Sequence, residues 1–222
     1  MYGIRISFGL ILVVFLHTCI VEGRWTQLNR IPVCFEGRGN RPGQLMYTGP
    51  GMVLGALKLK WKSGTIRCVS DQAYDSRWGC HHYSSFRSYP FNVIVTDGKD
   101  KILYPLNQYI KHTSGLWYYL PAQDSKHSDA IVFSDFDTPL YLHHMMQLKI
   151  WYGEDLKNWS ETDNQGQVCV DLFGFVIEHS GSRNSSGGAG GSGGSSVAVN
   201  SKAVNLLTSL KETLGKVISG TY

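Results

Sequence analysis

Residues 53–62 read VLGALKLKWK, and in them Leu57, Leu59 and Trp61 alternate with Lys58, Lys60 and Lys62. A period of two marks a strand with one buried face and one wet face. No stretch before Ser180 sustains the 3.6-residue period of a helix, while apolar runs of strand length recur between turn signals. The fold class expected is therefore all-β: an antiparallel β-sandwich, jelly-roll-like, with tryptophans and tyrosines filling the space between two sheets.

The expected strands fall at residues 31–35, 53–62, 65–69, 91–96, 101–104, 116–120, 130–133, 140–152 and 168–177. Residues 24–30 read as a polar lead-in, and residues 36–43, with three glycines and a proline, as a loop. Ser63-Gly64 is expected to turn the chain. Asp97-Gly98 is a strong hairpin signal between residues 91–96 and 101–104. The continuous apolar run 168–177 reads as a central strand buried on both sides.

Residues 1–23 read as a signal peptide, with Arg5 as the basic n-region, an apolar run over 6–16 and cleavage after Gly23. No other segment approaches the roughly 20 apolar residues of a spanning helix, so the mature chain is expected to be exported with no transmembrane segment. Cys19 leaves with the signal. Cys34, Cys68, Cys80 and Cys169 remain, an even number that points to two disulfides with three possible connectivities. The favoured pairing is Cys68–Cys80 as a local clip and Cys34–Cys169 as a bridge between the first and last strands. No Cys-x2-Cys pair suggests zinc.

Residues 24–180 suffice for one well-buried domain. Residues 181–196, almost all glycine and serine, read as a flexible linker. In residues 197–222, Ala203, Leu207, Leu210, Leu214 and Val217 are spaced as the stripe of an amphipathic helix. Such a short helix needs a partner, so residues 197–218 are candidates for self-association or binding to a surface. Lys211, Glu212 and Lys216 argue against a lipid-anchor signal there. The net charge of +4 is mild and the basic residues are scattered, which excludes nucleic acid as the expected partner.

Chemistry concentrates in residues 151–171, WYGEDLKNWSETDNQGQVCVD, where five acids face a single lysine. Glu154, Asp155, Glu161, Asp163 and Asn164 offer the oxygen ligands that calcium prefers, although their spacing is not that of an EF-hand. Turn-capping and solvent-facing roles compete with that reading, notably for Asp163-Asn164 before Gly166. Asn158 and Asn184 head glycosylation sequons. The lysine row at 58–62 reads as a solvated face rather than an anion site. His81 and His82 read as loop histidines, and His143 and His144 would point to opposite faces of a strand. A carboxylate pair such as Glu154 with Asp155 or Glu161 could in principle serve as acid and base. No nucleophile elbow, metalloprotease motif or phosphate loop occurs, and the expectation is that the protein is not an enzyme.

Pro32-Val33-Cys34-Phe35, Trp78-Gly79-Cys80, the block from Ile150 to Leu156, Asp163-Asn164 and Cys169-Val170-Asp171 occur in this order. Together they resemble a secreted domain of corals and sea anemones, of the type found in coral skeletal organic matrix proteins. The resemblance covers roughly residues 31–177. It implies secretion, two disulfides and a place in an extracellular matrix, in contact with matrix components and associated with mineral. Two functions are therefore carried forward: a structural or binding protein of a mineralised matrix, and a calcium-dependent carbohydrate-binding module using the acidic loop and exposed aromatics such as Trp159.

Overall fold

The computed structural model describes residues 23–81 and 83–177. Residues 1–22 of the proposed signal segment, the Gly/Ser linker, the proposed helical tail, His82 and Asn184 lie outside these residues. Twelve strands occur among those described. They are β1 (Gly23–Gln27), β2 (Val33–Glu36), β3 (Gly43–Met46), β4 (Met52–Arg67), β5 (Val93–Asp97) and β6 (Ile102–Tyr104). The chain continues with β7 (Ile110–His112), β8 (Trp117–Tyr118), β9 (Ala130–Ser134), β10 (Leu140–Leu142), β11 (Gln147–Tyr152) and β12 (Gln165–Ile177).

These strands form two main antiparallel sheets. In one, β1, β12, β4 and β10 lie side by side, with β2 also on β12 and β9 also on β4. The other runs β3-β11-β5-β6, and β7 and β8 make a separate ribbon. The alternation in β4 does what its pattern dictates: Leu57 and Leu59 are fully buried, as are Val170 and Leu172 on β12 and Leu148 and Ile150 on β11. Residues of both main sheets share one apolar core. Of the lysine row, Lys58 lies with its Nζ 4.2 Å from the centre of the Trp25 ring, and Lys62 pairs with Asp171 at 3.3 Å. Lys58 and Lys62 are thus locally partnered on that face.

The structure departs from the sequence pattern at several places, each for a physical reason. Ser63-Gly64 does not turn the chain. β4 runs through it for 16 residues, absorbing the irregularity as a register shift opposite Cys169/Val170 on β12. The residue left unpaired by that shift is Lys62; Gly64, two residues on, has φ +86, and a Cβ there would lie 2.0 Å from the Gln167 carbonyl oxygen, so only glycine fits at that position. Residues 140–152 are not one strand. β10 ends at Leu142 in the first sheet and β11 starts at Gln147 in the second, with Met145 at φ 64 between them. His143 and His144 thus sit in a sheet-to-sheet turn, where His144 Nδ1 lies 3.1 Å from the Thr48 carbonyl oxygen. β1 occupies a segment whose polar sequence reads as lead-in, and β3 begins at the last residue of the loop read at 36–43, because pairing with β12 and β11 supplies the order that their patterns lack.

Both disulfides form in the favoured pairing. Cys34 and Cys169 face each other across β2 and β12 with their Cα atoms 4.0 Å apart, and Cys68–Cys80 closes a separation of 12 residues. No helix among the described residues is long and apolar enough to cross a membrane.

The Cys34–Cys169 bridge spans 135 residues, and by loop entropy it stabilises the fold by about 5 kcal/mol against about 3 for the short clip. Replacing Cys34 and Cys169 together with alanine is expected to cost more, in denaturant unfolding, than replacing Cys68 and Cys80. A smaller loss from the long bridge would show that native-state geometry, not loop closure, sets its contribution.

Candidate functional site

The acidic segment is not an open loop. β11 runs straight into a short helix, α1 (Gly153–Lys157), and a single 3-10 turn follows at Glu161–Asp163 before β12 begins. Trp151 and Tyr152 are buried at the strand end. Gly153 is required by crowding: a Cβ on it would lie 2.7 Å from the Gly115 carbonyl oxygen and 2.8 Å from Asn92 Nδ2. α1 ends at Asn158, which adopts φ 47 in the left-handed region. That sequon asparagine is exposed, as a glycosylated position has to be.

Asn92, at the head of β5, organises the junction. Its Nδ2 donates to the Gly115 carbonyl at 2.6 Å, its Oδ1 accepts from the Glu154 amide at 3.1 Å, and its own carbonyl accepts from the Gly153 amide at 2.7 Å. The Glu154 side chain is only 2% exposed, and its Oε1 accepts from the Trp117 indole at 3.0 Å. Trp117 is in turn stacked on Phe86, with ring centres 3.8 Å apart.

Asp155 points the other way. Its Oδ1 accepts from the Asn40 amide at 2.8 Å and its Oδ2 from the Arg41 amide at 3.2 Å. Glu161 Oε2 accepts from the Gly39 amide at 3.3 Å. Asn164 Nδ2 donates to the Gly37 carbonyl at 3.0 Å, and Arg38 Nη1 donates to the Thr162 carbonyl at 2.5 Å. The acids therefore pin the loop at residues 37–42 by its backbone, with bonds that reach more than a hundred residues along the chain.

Between these two loops lies an open cleft of about 510 Å³, lined by Glu36, Arg38, Gly39, Arg41, Glu161 and Thr162. It offers both hydrogen-bond donors and acceptors, and it is bounded by backbone held in place from below.

Of the five residues proposed as calcium ligands, Glu154, Asp155 and Asn164 are buried, while Glu161 and Asp163 are half-buried on the 3-10 turn. Among the described residues no group of three or more His, Cys, Asp or Glu side chains is gathered in ligand geometry. Two oxygens in the cluster have no hydrogen-bond partner: Glu154 Oε2 and Asn164 Oδ1. Trp159 is half-buried rather than exposed, with its ring 4.8 Å from that of His112. Trp117, Asn92 and the amides of residues 39–41 were not among the residues singled out in the sequence. The one available signal was a polar Asn at the head of an otherwise apolar strand.

Burial pushes the Glu154 carboxyl up to about 8, with the neighbouring Asn164 carboxamide and the bond from Trp117 opposing the rise and the Asp163 charge adding to it. Burial and the neighbouring Glu161 carboxyl push Asp155 up to about 6, against the two amide bonds. Both carboxyls bind protons more tightly in the folded state than at their ordinary values near 4.

Neither a family model nor a curated protein matches the chain. Among solved structures, AJLec from the sea anemone Anthopleura japonica is similar to it, with 36% sequence identity and a TM-score of 0.64. The match covers 70% of this chain and 98% of AJLec.

Two outcomes follow for stability. Gly153→Ala is expected to lower the unfolding free energy by about 1–3 kcal/mol, because the methyl group meets backbone and the Asn92 clamp. A variant as stable as the parent would contradict the close fit. In chelator, stability is expected to be fully present below about pH 4 and to decline as the pH rises towards 8. The unfolded state releases the Glu154 and Asp155 protons first, so the native state holds more protons across that window. Thermal melts of Glu154→Gln should show a flatter slope over the same range; an unchanged slope would acquit Glu154.

Proposed function

Because this chain belongs to the family of the sea anemone lectin AJLec, we propose that it is an exported carbohydrate-binding protein. The observation that carries this reading is the relationship itself, which spans nearly the whole of AJLec at 36% identity. It favours glycan recognition over a purely structural place in a mineralised matrix. The kinship also agrees with a cnidarian domain, and the two disulfides are compatible with an oxidising, extracellular compartment.

The cleft between residues 36–41 and 161–162 is the proposed binding site. Its Arg38, Arg41, Glu36 and Glu161 side chains suit hydroxyl groups, each of which both donates and accepts a hydrogen bond. Asp155 and Asn164 fix the backbone beneath, so little ordering cost falls on binding. No catalytic step is proposed.

Calcium dependence is the second part of the reading. It is favoured by the two buried, unpartnered oxygens, Glu154 Oε2 and Asn164 Oδ1, beside carboxyls whose raised affinity for protons a divalent cation would reverse. Glu154 and Asn164 would hold the ion with Asp163 nearby, an all-oxygen set of the kind that calcium takes.

A glycan array probed with the mature protein, with and without chelator, tests both parts. Binding to a defined glycan set, weakened at least tenfold by Arg38→Ala, is expected. Binding to none would overturn the lectin reading. Loss of binding in chelator, restored by millimolar calcium together with a raised melting temperature, is the expected calcium result. Binding unchanged by chelator would remove the ion and leave the cleft.

A further inference from the structure

A second concavity lies far along the chain from the acidic loops, over the edge strand β9. Its volume is about 370 Å³, and Tyr104, Pro105, Tyr109 and Pro121 contribute to its walls, with Gln123, Val132 and Ser134 beside them. None of its lining residues carries a charge.

The backbone of β9 shapes what this groove can hold. Among the described residues β9 pairs only with β4. Asp135 donates to Gly55 and Trp61 donates to Asp129, so odd-numbered residues of β9 make the ladder bonds. Ala130, Val132 and Ser134 therefore turn their N–H and C=O groups away from β4, towards the free edge. One of those amides is already taken: Val132 N–H donates to Gln123 Oε1 at 3.0 Å.

We propose that this groove is a second carbohydrate subsite, for a neutral sugar residue, on the opposite kind of framework from the charged cleft. The inference rests on the lectin reading above. Three observations select the ligand class. The absence of charge in the lining disfavours acidic or basic partners. Tyr109, a lining residue that is 43% exposed, supplies an aromatic ring suited to the C–H face of a pyranose. The Gln123 carboxamide, fixed through its oxygen, keeps its N–H donors for hydroxyls, and the outward Val132 and Ser134 carbonyls accept from them.

The competing occupant of a free edge is an added peptide strand, which needs an uninterrupted row of backbone donors and acceptors. Gln123 fills the Val132 position in that row, so strand addition is blocked where a sugar is not. The tyrosine ring positions the sugar; the edge reads its hydroxyls.

The test is amide-resolved NMR titration of the mature chain with a panel of neutral methyl hexopyranosides, paired with the glycan array. Shifts at Ser134 N–H and the Gln123 carboxamide are expected with at least one glycoside. Tyr109→Ala should raise that dissociation constant about tenfold or more, while Tyr109→Phe, which keeps the ring, should stay near wild type. An unmodified affinity in Tyr109→Ala, or shifts confined to residues 36–41 and 161–162, would overturn the second subsite and leave the lectin reading standing. Shifts at the β9 edge from an extended peptide but from no glycoside would overturn it in favour of strand addition. No response to any glycoside and no glycan bound on the array would overturn both readings.

Discussion

The antiparallel ladder between β4 and β12 is the constraint on which the remaining elements depend. β12 also carries β1 and β2, and β4 carries β9 and β10, so every strand of the larger sheet is held through one of these two. The ladder contains a register shift at Lys62, between Trp61 and Ser63, and the longer disulfide anchors β2 to β12 at that level. An interruption of this pair would release both edges at once. The longer bridge makes that release entropically costly.

On this frame the acidic segment has a different meaning from the one that its composition suggests. A run of carboxylates in sequence looks like a surface patch or a cation cage. In the structure Glu154 is an acceptor for an indole, and Asp155 and Glu161 are acceptors for the backbone amides of residues 39–41. Where the acceptor is ionised such bonds are stronger than neutral ones, and in a buried setting each unmet lone pair is costly. The cluster thereby converts a glycine-rich loop into a defined wall of the proposed sugar cleft. The two oxygens still unmet, on Glu154 and Asn164, are where a proton or an ion has the most to gain.

The sequence made the fold class legible because the signals involved are local. Alternation around Leu57 and Leu59 marked β4, and Asp97-Gly98 marked the β5–β6 hairpin. The misreadings came where pairing partners, not local pattern, decide the outcome. The switch of sheets between Leu142 and Gln147 is marked by no glycine or proline, and β1 and β3 are ordered by their neighbours. The acidic segment was legible in place but its hydrogen-bonding role was not. Asp155 finds its amide donors 114 and 115 residues away, and no spacing rule within residues 151–171 could reveal them.

The buried Asp155 carboxylate of α1 holds the facing loop in place as one wall of the proposed binding cleft. Amide hydrogen exchange at Asn40 and Arg41 tests it directly, in the wild type and in Asp155→Ala. Protection of both amides in the wild type, lost in the variant while β4 and β12 stay protected, is the predicted result. Fast exchange at both in the wild type, or protection unchanged without the Asp155 carboxylate, would contradict the account.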